Sequence, residues 1–159
     1  MWVLRIGIIC TLLLIFYQDF KERLVSWFLY PLFGVLAFAL QLYFVAAFSG
    51  LLNTVFNLLF VLVLISVCFV YAKVKLKIPL NEILGIGDIL FFIFAAFAFS
   101  MLSFFILFVF ALVFSLAMHQ FFKYKQAHTT VPLAGYMALF FCTLYGLGFF
   151  TDTNFLYAY

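Results

Sequence analysis

Five carboxylates are present in the 159-residue chain: Asp19, Glu22, Glu82, Asp88 and Asp152. Two of them, Asp19 and Asp88, are the candidates for chemistry. They lie 69 residues apart, yet charge spacing assigns them to one membrane depth. Close carboxylates cannot both ionise cheaply, so one keeps a proton at a pH where the other is charged. The charged member can take a proton from water as the water attacks a carbonyl. The protonated member can polarise that carbonyl and later protonate the leaving amine. Simpler roles also exist. Asp19 can be an interfacial charge beside Lys21 and Arg23, and Asp88 can be a helix N-cap. The run Gly85-Ile86-Gly87-Asp88 favours chemistry, because two glycines leave room for an extended peptide beside the carboxylate. Glycine also serves close helix packing in membranes, so this run alone is a weak signal.

The elements that must position these residues follow from composition. Hydrophobic residues make up 70% of the chain, charged residues 8%, and mean hydropathy is +1.35. Soluble domains carry about 25% charged residues. This chain therefore belongs in a lipid bilayer, and its net charge of +3 reports topology rather than nucleic-acid binding. Only helices and closed barrels satisfy the backbone in lipid. Long unbroken apolar runs, such as Leu58 to Val70 and Ile89 to Phe99, select helices over the alternating pattern of barrel strands.

Charge-free gaps then give the spans. The 49 residues between Arg23 and Lys73 hold two helices of about 20 residues and a turn at Ser49-Gly50 and Asn53. The 34 residues between Asp88 and Lys123 hold most of two more, with a turn at Ser100 and Ser103. The expectation is an all-α membrane protein, a single domain (residues 1–159) forming a bundle of about six transmembrane helices. Their expected bounds are 2–18, 27–48, 54–72, 84–101, 104–122 and 131–150. The first run lacks a small-x-small cleavage site before Asp19 and reads as a retained helix rather than a signal peptide. Lys21, Arg23, Lys73, Lys75, Lys77, Lys123 and Lys125 fall on one side of this bundle, and only Arg5 falls on the other. The first side is expected to be cytoplasmic, with both termini outside.

The remaining residues carry less. Cys10, Cys68 and Cys142 stand apart from one another in apolar stretches and read as buried, inert thiols. The 27 Phe residues read as lipid-facing and packing groups. Lys73, Lys75 and Lys77 read as topology signals, and His119 and His128 as interfacial residues. Asn53 and Asn57 are assigned to the outer turn. Glu22 and Glu82 can attract a basic peptide from the rim, or can be plain solvated charges. No set of residues suits a metal.

Three segments together resemble the type IV prepilin peptidase family, membrane aspartyl proteases of the GxGD type. They are Asp19-Phe20-Lys21-Glu22-Arg23-Leu24-Val25-Ser26-Trp27, Leu84-Gly85-Ile86-Gly87-Asp88 and Val131-Pro132-Leu133-Ala134. Their order and spacing cover nearly the whole chain. The resemblance implies an aspartic endopeptidase of bacterial or archaeal cytoplasmic membranes, working without metal or organic cofactor. It would remove short basic leaders from prepilins or pilin-like proteins at the cytoplasmic face, in type IV pilus assembly or protein secretion. Asp19 and Asp88 match the catalytic pair, and Gly85, Gly87, Glu22 and Glu82 are the site-shaping candidates. Longer members carry a cytoplasmic insert with two C-x-x-C pairs, associated with methylation. That insert is lacking here, which implies cleavage without methylation. Ser26 and Gly135 stand where the family often has Pro, and Leu90 where it often has Lys.

Two other functions compete. One is a non-catalytic membrane subunit of a pilus or secretion assembly that keeps the fold. The other is a small transporter or channel with Asp19 and Asp88 on a proton path. The expected placement at the cytoplasmic edge disfavours transport, whose sites lie nearer mid-membrane.

Overall fold

A computed structural model describes residues 1–76, 85–122, 132–149 and 157. The protein is all-helical over these residues, as its composition requires. Helix α1 spans Trp2–Glu22, α2 Leu29–Phe44 and α3 Ala47–Tyr71, which continues into a π-helical turn at Ala72–Leu76. Helix α4 spans Ile86–Ala95, α5 Met101–Phe122 and α6 Leu133–Leu147. Three stretches, Trp2–Glu22, Ala47–Lys75 and Met101–Phe122, are long and apolar enough to cross a membrane. Helices α2, α4 and α6 are shorter, with 16, 10 and 15 residues. At 1.5 Å per residue α4 rises only about 15 Å, half of a hydrocarbon core.

Helix α6 is the hub and packs on α1, α5 and α4. Helix α1 lies between α6 and α2, while α3 closes the other side against α5, α2 and α4. Aromatic rings fill the centre. Phe33 stacks on Phe91 at 5.8 Å, Phe91 on Phe141 at 5.9 Å, and Phe99 on Tyr145 at 5.6 Å. Much of α3 instead turns Val55, Leu59, Leu62 and Val67 outward, as a lipid-facing helix does.

Two expected turns move. Ser49, Gly50 and Asn53 are helical residues of α3, and the chain reverses earlier, at the extended residues Val45 and Ala46. Gly50 serves packing: a Cβ there would lie 3.0 Å from Leu42 Cδ2. Asn57 is likewise not an outer-turn residue. It is fully buried, and its Nδ2 donates to the carbonyls of Ala96 at 3.0 Å and Phe99 at 2.9 Å. Gln41 Nε2 donates to Phe99 O as well, at 3.2 Å. Helix α4 stops at Ala95 and α5 starts at Met101, so the link between them exposes carbonyls in an apolar interior. Each would cost several kcal/mol without a partner, and these two amides supply it. Ser100 does precede α5 as expected, whereas Ser103 lies inside it. The cysteines are free, but Cys10 is exposed and Cys68 and Cys142 are half-buried, so they are not the buried thiols expected.

Candidate active site

Helix α1 carries Asp19 in its last turn, and not past its end as the sequence suggests. The helix runs on to Glu22 and stops at Arg23, whose left-handed backbone (φ 57°, ψ 13°) turns the chain. Ser26 N–H then donates to Gln18 Oε1 at 2.8 Å, folding the α1–α2 link back onto α1. Helix α2 starts at Leu29 with Pro31 in its first turn, where an N–H has no intrahelical partner to lose. Asp88 sits in the first turn of α4 after the extended Gly85, and its Oδ2 accepts the Gly85 N–H at 3.2 Å.

The two carboxylates meet at the start of α6. Ala134 N–H donates to Asp88 Oδ1 at 2.8 Å, and Gly135 N–H donates to Asp19 Oδ2 at 2.6 Å. These donors are consecutive backbone amides, three covalent bonds apart. The two accepting oxygens are therefore within about 10 Å of each other at the outside. Helix α6 has Pro132 at its N-cap, with no side-chain oxygen to satisfy its first amides. Such amides need partners. Here α1 and α4 provide them, from positions 116 and 46 residues away in the chain.

The surroundings are apolar on one side and dipolar on the other. Asp19 is buried, with Phe16, Phe20 and Tyr136 forming a ring cluster on its helix face. The first turns of α4 and α6 meet here, and each helix N-terminus favours negative charge. Arg23 acts electrostatically on both carboxylates. Asp88 is half-buried and Gly85 is exposed. Exposed Leu24, Trp27 and Phe28 flank the site on the α1–α2 link. A site of this kind can hold one proton between two carboxylates and stabilise an anion formed beside them.

Both glycines of the Gly85-Ile86-Gly87-Asp88 run are at the site, in different roles. Gly85 donates its N–H to Asp88, whereas Gly87 lies against the Tyr30 hydroxyl, which would be 2.7 Å from a Cβ there. Glu22 is exposed at the end of α1, three residues from Asp19. Glu82 lies outside the described residues, as do Lys77, Lys123, Lys125, His128, Val131 and Asp152. Lys73 and Lys75 lie in the π-helical turn after α3. His119 lies near the end of α5. No group of three or more potential metal ligands occurs among the described residues.

Sequence reasoning missed Tyr30 and the roles of Ser26 and Gly135. Tyr30 gives no sequence signal, being one of nine tyrosines in an apolar chain. Ser26 and Gly135 were visible as departures from a Pro-containing pattern. Their N–H groups make the bonds to Gln18 and Asp19, and proline has no N–H to give. Gly135 is also small by necessity, since a Cβ there would lie 2.9 Å from Asp19 Oδ2 and 3.0 Å from Asp19 Cβ. Leu90 packs against the core cluster.

The fold and site thus define an all-helical membrane protein with two aspartates bound to the amino end of one buried helix. Comparison with protein-family models, curated proteins and solved structures finds no match.

Proposed function

We propose that the protein is an aspartic endopeptidase that removes short leaders from prepilin-like or pilin-like proteins at the cytoplasmic face of the cytoplasmic membrane. The supporting observation is the convergence of Asp19 and Asp88 on the consecutive amides of Gly135 and Ala134. Carboxylates brought together in this way would keep one proton between them, giving a base for water, an acid for the carbonyl and, once the base has taken the water proton, an acid for the leaving amine. The chain crosses the bilayer several times in this reading, with its basic links cytoplasmic and its termini outside. Trp27 and Phe28 suit the interface beside the site. The substrate would have a polar leader in the cytoplasm and an apolar helix in the bilayer, with a small, flexible Gly just before the cut.

A second reading has one observation in its favour. Both oxygens of Asp88 accept backbone N–H groups, as a purely structural helix cap would. A non-catalytic membrane subunit would need no more than that.

The test uses membranes containing the protein and a substrate of the form leader, Gly, apolar helix, with products mapped by mass spectrometry. Cleavage after the Gly is expected. Moving the Gly several residues into the helix should abolish cutting, because the site lies at one depth. Undiminished cutting at the displaced position, or no cutting of either substrate, would contradict the proposal.

A further inference from the structure

Tyr30 is the buried polar group at the site that the two-carboxylate mechanism leaves unused. It lies in the first turn of α2 and is 1% exposed. Its hydroxyl oxygen occupies the space that the missing Cβ of Gly87 leaves open. It is under the electrostatic influence of both Asp19 and Asp88. None of the hydrogen bonds among the described residues engages this hydroxyl. Its O–H is therefore available, among the described residues, to donate to a group brought to the site. Gly87 does more here than allow helices to pack. With any larger residue in its place, the Tyr30 oxygen could not stand where it does, one residue from Asp88.

We propose that Tyr30 is a catalytic residue that donates its O–H to the oxyanion of the tetrahedral intermediate. The inference rests on the peptidase reading and adds a member to its site. In the first step water loses a proton to the charged carboxylate, and its oxygen bonds to the scissile carbonyl carbon. The carbonyl π electrons move onto oxygen, where the protonated carboxyl and Tyr30 O–H both donate. That oxygen then takes the carboxyl proton and forms a gem-diol. In the second step the nitrogen takes the proton received from water, the C–N bond breaks, and the deprotonated carboxylate recovers its proton from the diol. Tyr30 keeps its own proton throughout. A tyrosine hydroxyl beside a protonated carboxyl is a chemically sound oxyanion site, and the amino ends of α4 and α6 add to it.

The test compares wild type, Tyr30→Phe, Gly87→Ala and the double variant in proteoliposomes. The probe is a peptide with a short Lys-containing leader, one Gly and an apolar helix of about 20 residues, which is a bilayer span. Tyr30→Phe keeps the ring and removes only the donor. It should lower kcat by about 10²–10³-fold, the usual effect of losing one oxyanion donor, and leave KM unchanged. Affinity for a peptidyl ketone, whose hydrate mimics the gem-diol, should fall in parallel with kcat/KM. Gly87→Ala displaces the hydroxyl and should also lower kcat. Added to Tyr30→Phe it should do little more, because the two changes act through one oxygen. Helix content and thermal unfolding confirm that each variant is folded. Unchanged kcat in Tyr30→Phe, a loss expressed only in KM, or full additivity with Gly87→Ala would each overturn the role of Tyr30 and leave the carboxylate pair standing. No cleavage by wild type would overturn the peptidase reading and this inference together.

Discussion

The same substitution at two places on helix α6 should have opposite signs. At Gly135 an added Cβ would lie 2.9 Å from Asp19 Oδ2, 3.0 Å from Asp19 Cβ and 3.3 Å from Asp19 Cγ. Carbon pairs prefer about 3.5–4.0 Å, so the overlap is about half an ångström or more. The closest carbon is the Cβ of a helix residue and cannot swing away. Relief requires α1 to draw back from α6 or Asp19 to rotate. Overpacking of this kind costs about 1–3 kcal/mol. Rotation would also give up the 2.6 Å bond from Gly135 N–H, a charge-assisted bond of about 1.5–3 kcal/mol. Against this stands the helix propensity of Ala over Gly, about 1 kcal/mol at most. Gly135→Ala should therefore destabilise by up to about 2 kcal/mol from overpacking less the propensity gain, by more if the bond is lost, and depress activity. At Gly146, near the other end of α6, no described residue lies within 4 Å of the added Cβ. There the propensity gain stands alone, and Gly146→Ala should stabilise by a few tenths to about 1 kcal/mol. Denaturant unfolding of both variants in one detergent measures the difference. A Gly135→Ala protein as stable and active as Gly146→Ala would refute the close approach of Asp19 to α6.

Asp19→Asn should retain its backbone bond, because Asp19 takes it through Oδ2 alone, while Asp88→Asn must lose one of the two backbone bonds that Asp88 makes among the described residues. Unfolding measurements should find Asp88→Asn the less stable by about 0.5–1.5 kcal/mol. Asn57→Leu should destabilise by about 1–3 kcal/mol, since Ala96 O loses its amide partner in the interior; calorimetry in detergent checks this. The rate of cleavage should follow a bell-shaped pH profile, rising as the pair loses its first proton and falling as it loses the second. Asp19→Asn should remove that bell. Chelators should leave the wild-type rate unchanged, since no step uses a metal.

Much of this arrangement was legible in the sequence because charge is so scarce. With one Asp in residues 1–20 and one in 85–122, the charge pattern pairs them as candidates, and the consecutive amides of Ala134 and Gly135 bring them together. The helical class was legible for the same reason, since long apolar runs mark it, although only three of the six expected spans are long enough among the described residues to cross a membrane. The helix ends were not legible. Ser49, Gly50 and Asn53 look like a turn, yet their small size suits close helix packing equally, and the chain turns at Val45 and Ala46. Asn57 was misplaced because a buried amide that closes a break in another helix has no local signature. Its partners, Ala96 and Phe99, are 39 and 42 residues away. Ser26 and Gly135 were legible only as departures from a Pro-containing pattern. Each supplies an N–H that the local geometry uses and that a proline could not give. Tyr30 was invisible, since only the empty space at Gly87 distinguishes it from other tyrosines.

The central claim is that Asp19 and Asp88 act together on a peptide bond. Purified wild type, Asp19→Asn and Asp88→Asn, reconstituted at equal amounts in liposomes, can be given one leader-Gly-apolar-helix peptide. Wild type should release the leader, and each Asn variant should be slower by about 10²–10⁴-fold, the contribution of a lost acid or base. Each variant should stay folded, because Asn still accepts a bond from the amino end of α6. Release of the leader at the wild-type rate by either folded variant would contradict the claim and leave that aspartate as a helix cap.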